Sequence, residues 1–566
     1  MRRFLRLVLA LFFSQMLLFL VGLFALGSLL RPTAPALESG TMLRVHLSGE
    51  IIEYPTLPSI PFLHREPLSQ NDILECLQAA ADDDRIGSVL VEIDEPDIGW
   101  GKATELHQAI LRFRESGKPV VAHGPVLGEV GLLVGSACDS IYMPPTGRVF
   151  LNGLGVGPMY FKGTLDKLAI RPNVSRIGAY KDAVEPEIRR NMSAEAREQY
   201  EWLLDDLWSE FLETLESRRN LGRADLEEAV DRGILTPDEA MELGLLDGVR
   251  HREDVVRQYV RRSLDTPLLD VEDYRHEARH RLAVHGSKAI AVVHARGLIL
   301  RGANDYAPTF GAILGASEVV RDLEDVADDK TIEAVVLRVD SPGGEIVASD
   351  MISHAVEHVR QRKPIVVSMV DVAASGGYMM SFHANRIVAQ PTTITGSIGM
   401  LIEKFNMRGF YDKLGLSRDF VTRGSFPFLF SDYHDWSAQE ESLIARQQWG
   451  DYERWIQDIA KSRKLEASKV DDLGRGRVWT GQQALEHGLL DELGGQERAV
   501  ELARELAEIP AGTKTRLVHY PEERSFLDLL LQESDALWAS ARQRLDVSPR
   551  LPRGTRWSIL ELGFLP

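Results

Sequence analysis

Ser375 stands in the stretch 366–400, VVSMVDVAASGGYMMSFHANRIVAQPTTITGSIGM, where its neighbours are small: Ala373, Ala374, Gly376 and Gly377. An apolar run over 365–370 precedes it and reads as a buried strand. Backbone without Cβ atoms turns tightly and lets a second chain approach closely. A serine at the opening of a short helix also lies among unpaired N–H groups that favour negative charge. These conditions suit a nucleophilic hydroxyl with an oxyanion donor beside it. An N-cap serine in a glycine-rich turn fits the same local pattern. Upstream, the run Val335-Val-Leu-Arg-Val-Asp340 ends in Ser341-Pro-Gly-Gly344, and a helical pattern follows over 345–360. Glycine N–H groups at a strand end make an anion nest. Gly344 and Gly376 together would supply a two-donor hole for a tetrahedral oxyanion.

The rest of the composition narrows the class. The 566 residues are 44% apolar and 26% charged, ordinary for a globular protein of three or four domain-sized units. A net charge of −19 argues against nucleic acid, whose phosphates require basic clusters. Cys76 and Cys138 are the only cysteines, too few for a disulfide framework, and both sit in apolar patterns that read as core, with a single bridge as the alternative. No HExxH, CxxC or Walker-type pattern occurs, so no metal, nucleotide or other cofactor is implied.

The elements that must position the serine come in two copies. Arg2, Arg3 and Arg6 precede an uncharged run over 7–30. As a helix it would reach about 36 Å, enough for a bilayer core of about 30 Å. It is longer than a cleavable h-region, although Ala34-Pro-Ala36 leaves cleavage as an alternative. The arginines place the N-terminus in the cytoplasm and the body outside it. Beyond a Pro- and Ala-rich linker the chain repeats itself at an offset of about 246 residues. Ile86–Asp94 (IGSVLVEID) matches 332–340 (IEAVVLRVD), Asp166-Lys-Leu168 matches Asp412-Lys-Leu414, and Gly244-Leu-Leu-Asp247 matches Gly488-Leu-Leu-Asp491. Strands alternate with helical patterns in both halves, which predicts α/β units with βαβ crossovers. The copies differ chemically. At this offset Ser375 faces Glu129, Pro342-Gly-Gly344 faces Pro96-Asp-Ile98, and Lys181 faces Pro427. One half carries the hydroxyl, and the other carries an amine where its twin has a proline that can neither take nor give a proton.

Three motifs, Asp340-Ser-Pro-Gly-Gly344, Ala374-Ser-Gly-Gly-Tyr378 and Thr395-Gly-Ser-Ile-Gly399, resemble those of the signal peptide peptidase A (protease IV) family, and the resemblance extends over nearly the whole chain. It implies a membrane-bound serine protease with two tandem Clp/crotonase-like repeats after a single N-terminal transmembrane helix. Tyr180-Lys-Asp-Ala-Val-Glu-Pro186 resembles the lysine-bearing segment of two-repeat members, which makes Lys181 the base for Ser375. By the same resemblance Ser397 hydrogen-bonds and orients that lysine, the substrates are apolar peptides such as signal peptide remnants, and the assembly is a homotetramer on inner membrane lipid, with its body in the periplasm. For Lys181 to act as a base, burial must bring its pKa down towards neutrality. Asp182 and Glu185 oppose that fall unless direction and solvation keep them away.

The expected units are an anchor at 1–31, a linker at 32–42, a lysine-bearing repeat at 43–265, a charged helical bridge at 266–287, a serine-bearing repeat at 288–510 and a tail at 511–566 with amphipathic pieces at 526–537 and 559–564. Two other classes compete with the peptidase: a catalytically silent membrane scaffold, and a crotonase-type acyl-thioester enzyme with Glu345 as its carboxylate. His383, His354 and Lys404 are the alternative bases.

Overall fold

The computed structural model describes residues 37–55, 68–259, 268–283, 288–307, 311–510 and 512–522, with Gln15 and Gly22. Apart from Gln15 and Gly22, the apolar run 7–30 therefore lies outside the described residues, as do the pieces 526–537 and 559–564. Among the described residues no helix is long and apolar enough to cross a membrane.

The first half contributes β1 (Thr41–Glu50), β2 (Ile86–Asp97), β3 (Val120–Leu127), β4 (Ser140–Met143), β5 (Arg148–Leu151), β6 (Arg171–Ile177), β7 (Gly233–Leu235), β8 (Gly248–Val249) and β9 (Leu269–Asp270). The second contributes β10 (Lys288–Arg296), β11 (Leu298–Leu300), β12 (Asp305–Ala307), β13 (Gly311–Gly315), β14 (Ile332–Ser341), β15 (Ile365–Ala374), β16 (Arg386–Ala389), β17 (Ile394–Gly396), β18 (Met400–Asn406), β19 (Val478–Thr480), β20 (Glu492–Leu493) and β21 (Thr515–Tyr520). Each half folds an eight-stranded sheet of one design. The orders are β7-β5-β3-β2-β1-β9, with β4 joining β3 to β8, and β19-β17-β15-β14-β10-β21, with β16 joining β15 to β20. The sequence repeat is thus a repeat of topology.

The central pairs are parallel, and parallel strands covered on both faces read as continuous apolar runs. In β14 the residues from Ala334 to Val339 are all buried. One face of the second sheet packs under the helix Ile346–Arg360 through residues such as Val335, Leu337 and Ile352, and the other under the helix Gln496–Leu506 through Val336, Val366, Ala499 and Leu502. The first sheet repeats this arrangement with its own two cores. Cys76 and Cys138 are buried and unpaired within it.

The bridge at 266–287 contains the helix Val271–Ala283, preceded by β9, which pairs with β1. Thr41 and Met42, read as linker, already belong to β1. Thr515–Tyr520 lies in the stretch read as tail and forms the edge strand against β10, a partner for backbone groups that would otherwise stay open. A two-stranded sheet joins the halves: β6 pairs antiparallel with β18, from Met400 opposite Ile177 to Asn406 opposite Arg171.

Candidate active site

Ser375 follows β15 and precedes a single helical turn, Gly376–Met379. Its backbone is strained, with φ +54° and ψ −113°. Non-glycine residues are held in such conformations only where their surroundings over-determine them. Here the Ser375 N–H donates to the Gly396 carbonyl at 2.8 Å, and the Ser375 carbonyl accepts from the Met379 N–H at 2.9 Å. The turn of β14 presses against it: a Cβ on Gly343, where φ is +103°, would fall 2.8 Å from Ser375 Cβ and 2.7 Å from Gly376 N. Only glycine admits that approach.

Neither the Gly344 nor the Gly376 N–H donates to a protein acceptor among the described residues. The Gly344 nitrogen lies 3.1 Å from where a Cβ on Gly376 would stand, so the two amides adjoin. Gly344, Ser375 and Gly376 line one small cavity, whose other walls include Ile346, Met379, Met400 and Trp455. The geometry has free donors beside a strained hydroxyl and an apolar recess next to both.

Lys181 arrives from the other repeat. The pairing of β6 with β18 carries the chain across, and the turn after β6 docks on residues 474–477. The Tyr180 N–H donates to the Arg475 carbonyl at 3.2 Å, and a Cβ on Gly476 would lie 2.4 Å from Lys181 N. The Arg477 guanidinium sits 4.0 Å from the Tyr180 ring centroid, and Trp202 stacks on Trp479 with centroids 5.2 Å apart. Held this way, Lys181 is buried. Its Nζ lies 2.9 Å from Ser375 Oγ, 2.8 Å from Ser397 Oγ and 2.9 Å from the Ser397 carbonyl oxygen. As an ammonium it donates to all three. As an amine it keeps two donors for Ser397, and its lone pair accepts from the Ser375 hydroxyl.

Burial lowers the Lys181 pKa to about 8, against the opposing charge of Asp182. Glu185 is kept away by a different cause from the solvation expected. It is buried, accepts from the Ser193 N–H at 3.0 Å and faces Arg176 at 3.5 Å. Ser397 also has a left-handed backbone, φ +51°, and its N–H donates to the Arg477 carbonyl at 2.6 Å.

The structure thus brings Ser375, Lys181, Ser397, Gly344 and Gly376 together. The alternative bases lie elsewhere. His354 is exposed on its helix, the His383 ring packs beside Phe382, and Lys404 Nζ donates to the Phe428 carbonyl at 3.3 Å. Glu345 pairs with Arg301 at 2.6 Å. In the first repeat Glu129, the counterpart of Ser375, accepts from the N–H groups of Asn152 and Gly153, and Pro427, the counterpart of Lys181, is exposed. Among the described residues no cluster of His, Cys, Asp or Glu could hold a metal ion. Sequence reasoning missed the carbonyl of Ser397 as a lysine acceptor and the docking turn. The pair Gly474 and Gly476, alternating with Arg475 and Arg477, was the signal available for that turn.

The profile of peptidase family S49 matches residues 112–263 and 357–510, one stretch in each repeat. The chain is 32% identical over 488 residues to "Serine protease SPPA, chloroplastic" of Arabidopsis thaliana, covering 85% of this chain and 71% of the relative. It is 31% identical over 467 residues to "Protease 4" of Haemophilus influenzae, covering 78% and 73%. The "Protease 4" of Salmonella typhi is 31% identical over 493 residues, covering 84% and 77%. Among solved structures, a mutant ClpP1 of Listeria monocytogenes aligns with 37% of this chain and 94% of its own at 14% identity and a TM-score of 0.25, too distant a likeness to carry an argument.

Proposed function

The chain belongs to peptidase family S49 and is a serine protease, and from that premise we propose that Ser375 is its nucleophile and Lys181, from the other repeat, its general base. The observation that carries this reading is the 2.9 Å contact between Lys181 Nζ and Ser375 Oγ, made by residues 194 positions apart. Ser375 Oγ attacks the peptide carbonyl as its proton passes to the neutral Lys181 amine. The tetrahedral oxyanion receives the N–H groups of Gly344 and Gly376, an interaction worth about 2.7–4 kcal/mol per donor in a serine protease. Collapse breaks the C–N bond, and Lys181 returns the proton to the leaving amine. Water, deprotonated by the same amine, then hydrolyses the Ser375 ester. Ser397 orients the lysine through two acceptors.

Each repeat is read as Clp/crotonase-like by the family resemblance, and the strand order common to both halves fits two copies of one fold. Apolar peptides, including signal peptide remnants, suit a recess walled by Ile346, Met379, Met400 and Trp455. The arginines before the apolar run 7–30 support a single-pass inner-membrane anchor with the body in the periplasm. A homotetramer completes the reading by resemblance alone. Ser375→Ala should abolish hydrolysis of an apolar peptide while preserving the unfolding midpoint, because it removes one hydroxyl from a small-residue turn. Ser397→Ala should lower kcat less, since the Ser397 carbonyl still holds the lysine. Full activity in Ser375→Ala would sink the assignment.

A further inference from the structure

Lys102 belongs to the first repeat, yet its side chain ends between the two second-repeat strands that carry the site. Its Nζ lies 3.0 Å from Asp371 and 3.4 Å from Asp340, and donates to the Ile51 carbonyl at 3.2 Å. The residue is 8% exposed. Asp340 opens the turn that leads to Gly344, and it accepts from the Val372 N–H at 3.3 Å. Asp371 lies on β15, shortly before Ser375. Its other oxygen accepts the Lys102 backbone N–H at 2.8 Å, in the first turn of the helix Trp100–Arg114, where orphan N–H groups favour a carboxylate.

The fit leaves no slack. A Cβ on Gly99 would come within 2.2 Å of Asp371 Cγ, and one on Gly101 within 2.4 Å of the Val370 carbonyl oxygen. Two half-buried carboxylates share this one cation. Burial and the charge of Asp340 push the Asp371 carboxyl up to about 6 even with Lys102 beside it. Burial pulls Lys102 down, and the two carboxylates outweigh it, so the ammonium stays charged. Without that cation, Asp340 and Asp371 would repel each other at the base of the two turns that must stay in register. The aligned position in the second repeat is Ala348, so this device exists on one side only.

We propose that Lys102 is a positioning residue: it clamps the strand end presenting the Gly344 N–H to the strand end presenting Ser375, so that a cation of the first repeat sets the oxyanion hole of the second. This rests on the reading of Ser375 as nucleophile. Lys102 touches no reacting atom and lies on a different segment from Lys181. Its loss should therefore weaken stabilisation of the transition state without altering the base.

The test compares full-length wild type, Lys102→Met, Asp371→Asn and Ser375→Ala on one apolar peptide substrate, reading kcat, KM and the midpoint of the pH–rate profile. Lys102→Met should lower kcat by about 10–100-fold, the scale of a misplaced oxyanion donor. KM should stay within about twofold, and the pH midpoint should remain where wild type has it. Asp371→Asn keeps an oxygen for the Lys102 N–H but loses the charge, and should show the same pattern to a smaller degree. Wild-type kcat in Lys102→Met overturns the proposal. So does a loss accompanied by a shifted midpoint or a raised KM, which would mean that the whole repeat interface had loosened. If Lys102→Met does not fold, Asp371→Asn decides by the same criteria. Inactive Ser375→Ala beside a fully active Lys102→Met would refute the clamp alone, whereas active Ser375→Ala would refute the nucleophile.

Discussion

On the proposed reading, Lys181 serves as a base because burial works against its charge. A pKa of about 8 leaves a usable fraction of amine near neutrality, where free lysine, titrating near 10.4, has almost none. The same shift is a statement about stability. Between pH 8 and about 10.4 the unfolded chain binds more protons at this residue than the folded chain, so folding stability rises with pH across that window. Below it the folded protein carries the full cost of a buried ammonium. Relative to Lys181→Met, the wild-type chain should therefore gain about 2 kcal/mol between pH 7 and pH 10, read from urea unfolding at both values. An unchanged difference would show that Lys181 is not depressed in the folded state. The serine motif, the glycine pair and the lysine were legible from residue types and spacing together with a family resemblance. The left-handed backbones of Ser375 and Ser397 were not, because tertiary contacts from Gly396 and Arg477 impose them and local propensity opposes them.

At the scale of elements, the sheets were legible because parallel strands such as β14 and β15 are apolar on both faces. The pairing of β6 with β18 was not. Arg171–Ile177 carries polar and half-buried residues, and periodicity along one segment does not name its partner more than 200 residues away. Yet this pairing delivers the lysine, and the turn that follows it tolerates no bulk. At Gly178, φ is +107° and a Cβ would fall 1.9 Å from the Arg475 carbonyl oxygen. Gly178→Ala should displace Lys181 from Ser375 and lower kcat by at least about tenfold, because small misplacements of a reacting group are costly. It should also raise the midpoint of the pH–rate profile towards that of free lysine as water reaches the amine. Unchanged kcat and midpoint would show that the turn does not position the base.

At the scale of the whole molecule, two copies of one topology meet along an interface of buried charge. Arg338 of the second repeat is buried against Glu53 at 2.7 Å and Glu105 at 2.8 Å, both from the first. Removing one partner of such a group leaves an uncompensated charge, at a cost of about 3–5 kcal/mol. The second repeat alone is therefore a poor test of the split site, since loss of activity there would report the broken interface as readily as the missing base. The body's location is tested separately: a reporter fused after residue 40 should be active only outside the cytoplasm, and activity confined to the cytoplasm would reverse the topology. The claim that the two repeats share one catalytic pair is tested most directly by the rate at which a serine-directed fluorophosphonate labels Ser375 in the intact protein, measured from pH 6 to pH 10. In wild type the rate should rise with a midpoint near 8, and in Lys181→Ala it should fall by orders of magnitude and lose that midpoint. Labelling of Lys181→Ala at the wild-type rate with the same pH profile would contradict the split dyad.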